Sequence, residues 1–232
     1  KGDSRARACD SRAAGEPAVR SAVPLVLLLA ACVGGPPLPP PSGGAPSSEA
    51  SPYLVPAGYG TLRQEDISIR LQLLGFQVQA TPLDETIIRL LAPDSYRALR
   101  ELAATRKREL EDLTQRTGLR EFSLWRLLFF GTQLGEAPFS PEELTITSGG
   151  RDFRPLAILP LSPGFGRQRL AQRETQAALY VFDPQVDVNQ PLVLQFQTAR
   201  SDEWTQILER VERERALVRS RAGVRPPDGS RY

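Results

Sequence analysis

Between Asp66 and Leu73 the chain reads DISIRLQL. Ile67, Ile69, Leu71 and Leu73 are apolar, and Ser68, Arg70 and Gln72 between them are polar. A period of two places one set of side chains on each face of an extended strand, and only a half-buried strand needs that arrangement. After Gly75 the same code returns in FQVQATPL, with Phe76, Val78 and Ala80 on one face. ETIIRLLA supplies an apolar run from Ile87 to Leu91 and is expected to be a third neighbouring strand. FSLWRLLFF, Phe122 to Phe130, alternates at first and then becomes apolar throughout, which marks it as the central strand.

Further strands are expected at LTITS, ALYVFD and PLVLQFQTA, with Gly149-Gly150 as a turn. FRPLAILPLSP holds three prolines and belongs at an edge, because proline cannot donate to a ladder. Roughly eight short strands with frequent turn signals predict an antiparallel β-sandwich, immunoglobulin-like in the loose sense, with a barrel as the rival. No Cys-Trp-Cys signature ties it to the antibody domains proper.

Two segments break the strand code. From Pro93 and Asp94, with Asp94 placed to cap, Tyr96, Leu99, Ala103, Leu110 and Leu113 follow helical spacing until Gly118. A helical insertion is expected over about 94–117. Its RKRE run at 106–109 reads as a solvated face. A C-terminal helix is expected over about 202–219, with Ser201 or Asp202 as cap. Trp204, Ile207, Leu208, Val211 and Val218 mark the face that packs on the protein's own sheet. The domain is thus mainly β with two helices.

Ahead of this domain lies VPLVLLLAACVGGPPLPPPSGG, Val23 to Gly44. A membrane-spanning helix needs about 20 apolar residues. This run is roughly half as long, carries Pro24 and stops at Gly34-Gly35-Pro36. Read from Val19, Arg20 forms a positive n-region, Ala22 to Leu29 an apolar h-region, and Ala30 and Ala31 the small residues before a cut. An ordinary cleaved secretory signal and a buried core segment are the competing readings. Leu29-Ala30-Ala31-Cys32 resembles the lipobox of bacterial lipoprotein precursors. The resemblance implies recognition of Leu29, Ala30 and Ala31 by the lipoprotein signal peptidase and cleavage before Cys32. It also implies diacylglycerol on the Cys32 sulfur. Val33 stands where an aspartate commonly retains such proteins at the inner membrane, so the outer membrane, facing the periplasm or cell surface, is favoured.

The expected organisation follows. Residues 1–18 are a non-native upstream extension and 19–31 the signal peptide. Residues 32–52 are the lipidated cysteine and a Pro/Gly/Ser tether, 53–222 the β-sandwich, and 223–232 a flexible tail. Twenty tether residues reach roughly 25 Å as a coil, or about 60 Å in a polyproline helix.

Composition narrows the chemistry. The chain has 29 basic and 27 acidic residues. Residues 1–31 hold five of the basic and three of the acidic ones, so 24 of each remain beyond them. That net balance gives neither nucleic acid nor an anionic membrane surface an electrostatic footing. The chain has no His and only two Cys, Cys9 and Cys32. Ser-His-Asp and Cys-His catalysis and His-bound zinc are excluded, and the domain carries no thiol. GYGTLR at Gly58 and GFGRQR at Gly164 lack the third glycine of a dinucleotide loop. Asp183, Asp187 and Asn189 in FDPQVDVN are oxygen donors of the kind calcium takes, but their spacing fits no EF-hand, and an Asp-Pro turn accounts for Asp183.

No catalytic residue, cofactor or metal is assigned. The expected function is that of a lipid-anchored, non-catalytic cell-envelope lipoprotein. Its membrane contact runs through Cys32, and its β-rich domain binds an envelope protein or glycan or serves a structural role. The alternative is a carboxylate-based hydrolase or a carrier of small apolar ligands in the periplasm.

Overall fold

The computed structural model describes residues 51–223. The expected upstream extension, signal peptide and lipobox, the expected tether up to residue 50 and the expected tail from residue 224 lie outside them. Among the described residues eleven strands run β1 (Ile69–Gln72), β2 (Phe76–Pro82), β3 (Ser123–Gly131), β4 (Glu136–Pro138), β5 (Leu144–Ser148), β6 (Arg151–Phe153), β7 (Ala157–Pro160), β8 (Arg169–Ala171), β9 (Thr175–Phe182), β10 (Leu192–Phe196) and β11 (Ala199–Ser201). Four helices join them: α1 (Glu85–Ile88), α2 (Pro93–Ala104), α3 (Lys107–Thr117) and α4 (Trp204–Arg221).

The protein is mainly antiparallel β-sheet with a few helices and a C-terminal helix. One sheet has the order β1-β2-β3-β9-β7, another β11-β10-β5-β6, and β4 pairs with β8 in a small ribbon. β3 is central, as its apolar composition requires. Its inward side chains Trp125, Leu127 and Phe129 are fully buried. β7, which ends in Pro160, lies at one edge and β6 at another, so the proline-rich stretch takes the position its missing donors impose.

The faces of the two larger sheets meet through aromatic rings. Phe196 of β10 lies 5.5 Å from Phe129 and 6.1 Å from Phe76 of β2, both edge-on. Phe139 stacks on Phe129 at 4.7 Å. α4 buries Trp204, Ile207, Val211 and Val218, and Leu208 packs partly against the same core. The helix therefore covers its own sheet, as its apolar face predicts. Trp204 also donates from its indole N–H to the Val188 carbonyl at 3.0 Å.

Several expectations need correction. Ile87 and Ile88 are not in a strand; they sit in the single turn of α1. The Asp84 carboxylate accepts from the Thr86 N–H at 2.8 Å and caps that turn. The run is buried on every side, so no period separates helix from strand. The insertion is two helices, broken at Thr105-Arg106. Asp94 does not cap α2; Ala92 holds the cap position and Asp94 pairs with Arg97 at 2.6 Å. Nor is the RKRE run wholly solvated. Arg106 is half-buried and donates to Glu109 at 3.0 Å and to the Pro160 carbonyl at 2.8 Å, fixing the helix pair to the end of β7. Neither Ser201 nor Asp202 caps α4; Glu203 holds that position. Gly118 ends α3 in the left-handed conformation, as expected.

Candidate functional site

The expected site residues Leu29, Ala30, Ala31 and Cys32 lie outside the described residues. What is described begins with residues 51–62, and this stretch is tightly held. Residues 51–62 run across the end of α4 and beside Leu90. Gly60 approaches the Leu90 backbone so closely that a Cβ there would sit 2.2 Å from its carbonyl carbon. Leu62 and Leu91 then form a parallel bridge.

Three arginines of α4 grip this segment. Arg219 donates to the Pro52 carbonyl and Arg221 to the Tyr59 carbonyl at 2.8 Å. The Arg215 guanidinium lies over the Tyr53 ring, 5.0 Å from its centre. Cations in a last helical turn also meet the negative end of the helix dipole. Glu214, itself buried, accepts from the Thr61 N–H and hydroxyl, each at 2.9 Å, and from Arg221 at 2.8 Å. Thus one helix end holds a twelve-residue segment by charge and by backbone bonds.

Arg215 is fully buried. It reaches the Asn189 side-chain carbonyl at 2.9 Å and the Thr86 carbonyl at 3.3 Å, and it pairs with Glu212. The calcium candidates are thereby explained differently. Asp183 accepts from the Gln185 N–H and Asp187 from the Asn189 N–H, both as turn-forming side chains. Asn189 faces a guanidinium, whose charge opposes a cation there. Among the described residues no group of three His, Cys, Asp or Glu could hold a metal ion.

We expect Gly60→Ala to cost about 3 kcal/mol, the upper end for overpacking, because the obstacle is backbone and cannot rotate away. Thermal unfolding should show a midpoint lowered by roughly 6–12 °C. An unchanged midpoint would mean that residues 51–62 are not pinned against Leu90.

Comparison with protein-family models, curated proteins and solved structures finds no match.

The concavities have to be judged on their own chemistry. A groove of about 350 Å³ lies between α3 and the start of β3. Leu110, Phe122 and Leu124 give it an apolar floor, and Lys107, Glu111, Arg120 and Glu121 lie around it. Lys107 and Glu111 meet at 3.7 Å, as their four-residue spacing predicts. Its size is at the lower limit for a small-molecule pocket.

Two carboxylates have displaced acidities. The Ala171 N–H, then the Gln176 amide and Arg167, hold Glu174 below the usual carboxylate range. Glu109 is lowered by its own backbone N–H and by Arg106. Both favour the ionised form, the opposite of what a glycosidase acid requires. Burial lowers the Arg126 guanidinium and raises the Tyr180 phenol. Tyr180 donates to the Pro141 carbonyl at 3.0 Å and is a packing residue with a satisfied hydroxyl. No helix among the described residues is long and apolar enough to cross a membrane.

Proposed function

We propose that the chain is a lipid-anchored, non-catalytic lipoprotein of the cell envelope. The observation that carries this reading is the order Leu29-Ala30-Ala31-Cys32, preceded by an apolar run and followed by a Pro/Gly/Ser tether. The grip on residues 51–62 supports it. The first described residues are fastened to the domain by Arg215, Arg219 and Arg221, which gives an anchored domain a firm attachment. The β-rich domain is read as an immunoglobulin-like sandwich in the loose sense. The contacts of Phe76 and Phe129 with Phe196 across two sheets support that reading. Its partner is an envelope protein or glycan, its place the outer membrane, and neither nucleic acid nor a cofactor enters its function.

Intact mass of the protein extracted from membranes tests the anchor. The expected result is a chain starting at Cys32 that carries added acyl mass. A chain that retains Lys1 and has an unmodified Cys32 would overturn it.

A second reading is favoured by the apolar floor of the groove beside α3, which suits a carrier of small apolar ligands. Retention of a lipid-derived apolar molecule by the purified protein, lost in Leu110→Glu, would favour the carrier over the partner-binding module.

A further inference from the structure

Two leucines stand almost free of the protein. Leu74 is 93% exposed and Leu134 83%, the highest values among the large apolar side chains described. They are sixty residues apart in sequence yet sit on loop tips that are bonded together. The Thr132 and Gln133 N–H groups both donate to the Gly75 carbonyl, at 2.8 and 3.3 Å. The β1–β2 turn is closed by the Leu73 N–H on the Phe76 carbonyl at 2.9 Å, and Gly75 takes the positive φ of +90° that the turn demands.

A third tip joins them. The Gly131 N–H donates to the Glu174 carbonyl and the Arg173 N–H to the Gly131 carbonyl, each at 2.9 Å. Phe130, 40% exposed, lies just behind. Hairpin tips are ordinarily filled by Gly, Asn, Asp, Ser or Pro. Here Leu occupies two adjacent ones, held on an ordered backbone.

The charges at this end are not balanced. Glu136 pairs with Arg169 at 3.3 Å and Glu174 with Arg167 at 2.9 Å. Arg173 is exposed and has no ion pair or side-chain hydrogen bond among the described residues. The surplus is one free cation beside two free leucines.

We propose that this end of the five-stranded sheet touches an anionic phospholipid surface, with Leu74 and Leu134 entering the acyl boundary and Arg173 meeting a headgroup phosphate. The proposal rests on the lipid anchor at Cys32, whose tether of roughly 25–60 Å keeps the domain within reach of the bilayer. The contact fixes the orientation of the domain at the surface. A protein partner fits less well. Protein interfaces need about 800 Å² of matched surface on each side, whereas these are separate convex protrusions. A fluid bilayer accepts protrusions without a complementary shape, and although the net charge of the chain gives an anionic surface no pull, the locally uncompensated arginine at this end does.

The test uses the mature chain of the proposed function, residues 32–232 with Cys32→Ser, so that neither the apolar run before Cys32 nor lipidation plays a part. A single thiol is introduced by Leu134→Cys and labelled with an environment-sensitive fluorophore. A second chain carries the label at Leu217→Cys on α4, a position also exposed. Vesicles of phosphatidylcholine with phosphatidylglycerol, some bearing a nitroxide on the acyl chain, are added. The expected result is a blue shift and nitroxide quenching at position 134 and neither at 217. Leu74→Glu should lower the bound fraction of the 134-labelled chain about tenfold or more. Arg173→Glu should lower it about fivefold on anionic vesicles and leave pure phosphatidylcholine unaffected. No shift at 134, or equal shifts at both positions, would overturn the proposal. A shift produced only by lipid-free envelope extract would overturn it in favour of a protein partner. Because this chain lacks Cys32, an unacylated native protein would refute the anchor without altering this outcome.

Discussion

Phe129→Ala should cost the protein about 4 kcal/mol, while Phe130→Ala, one residue further on, should change stability by less than about 0.5 kcal/mol. Phe129 is fully buried and touches four aromatic rings: Phe139 at 4.7 Å, Phe196 at 5.5 Å, Phe165 at 5.8 Å and Tyr180 at 6.4 Å. Truncation removes its transfer free energy and leaves a cavity between two sheets that rigid backbones cannot close. A domain of ordinary stability, about 5–15 kcal/mol, loses a large share of its margin. Phe130 points to the opposite face and is 40% exposed. Urea denaturation of the two variants reads the difference directly. Equal losses would mean that the register of β3 is wrong by one residue, since such a slip exchanges the two faces.

Arg215→Ala should cost about 3 kcal/mol, and Arg215→Met should recover only part of it. The pair with Glu212 is not the reason. The Glu212 side chain is 53% exposed, so solvent screens that attraction. The loss comes from what the guanidinium satisfies. Without it the Asn189 side-chain carbonyl and the Thr86 carbonyl lose a buried donor, and Tyr53 loses the cation over its ring. Methionine refills volume but restores no donor. Limited proteolysis supplies the second readout: cleavage between Tyr53 and Thr61 should accelerate in Arg215→Ala and less so in Arg215→Met. Loss of stability without faster cleavage there would show that Arg215 serves the core alone and leaves the joint intact.

Much of this could be read along the chain, and each miss has its own physical cause. Strands β2, β3 and β10 each alternate strongly enough to place their buried faces, β9 is recognisable as a short apolar run that is buried continuously from Ala178 to Phe182, and α4 shows its apolar stripe outright. Ile87-Ile88 misled because a stretch buried on all sides has no period, and the deciding group was the Asp84 side chain on the Thr86 N–H. β4 and β8 escaped notice because three residues carry no pattern. Arg106 looked like one charge in a solvated run. Its contact with Pro160 lies fifty-four positions away and leaves no local trace.

The sequence by itself determined which residue chemistries this chain offers and the class of its strongly periodic elements. Without His, and with no thiol beyond Cys32, whole mechanisms are closed. Period-two alternation is a property of neighbouring residues, so it survives without knowledge of the fold. Only the tertiary structure decided which faces meet, that Arg215 is buried between α4, Asn189 and Tyr53, and that Leu74 and Leu134 share one end. Those are long-range pairings. They follow from how sheets and helices stack to exclude water, and no local spacing encodes which distant partner completes a contact.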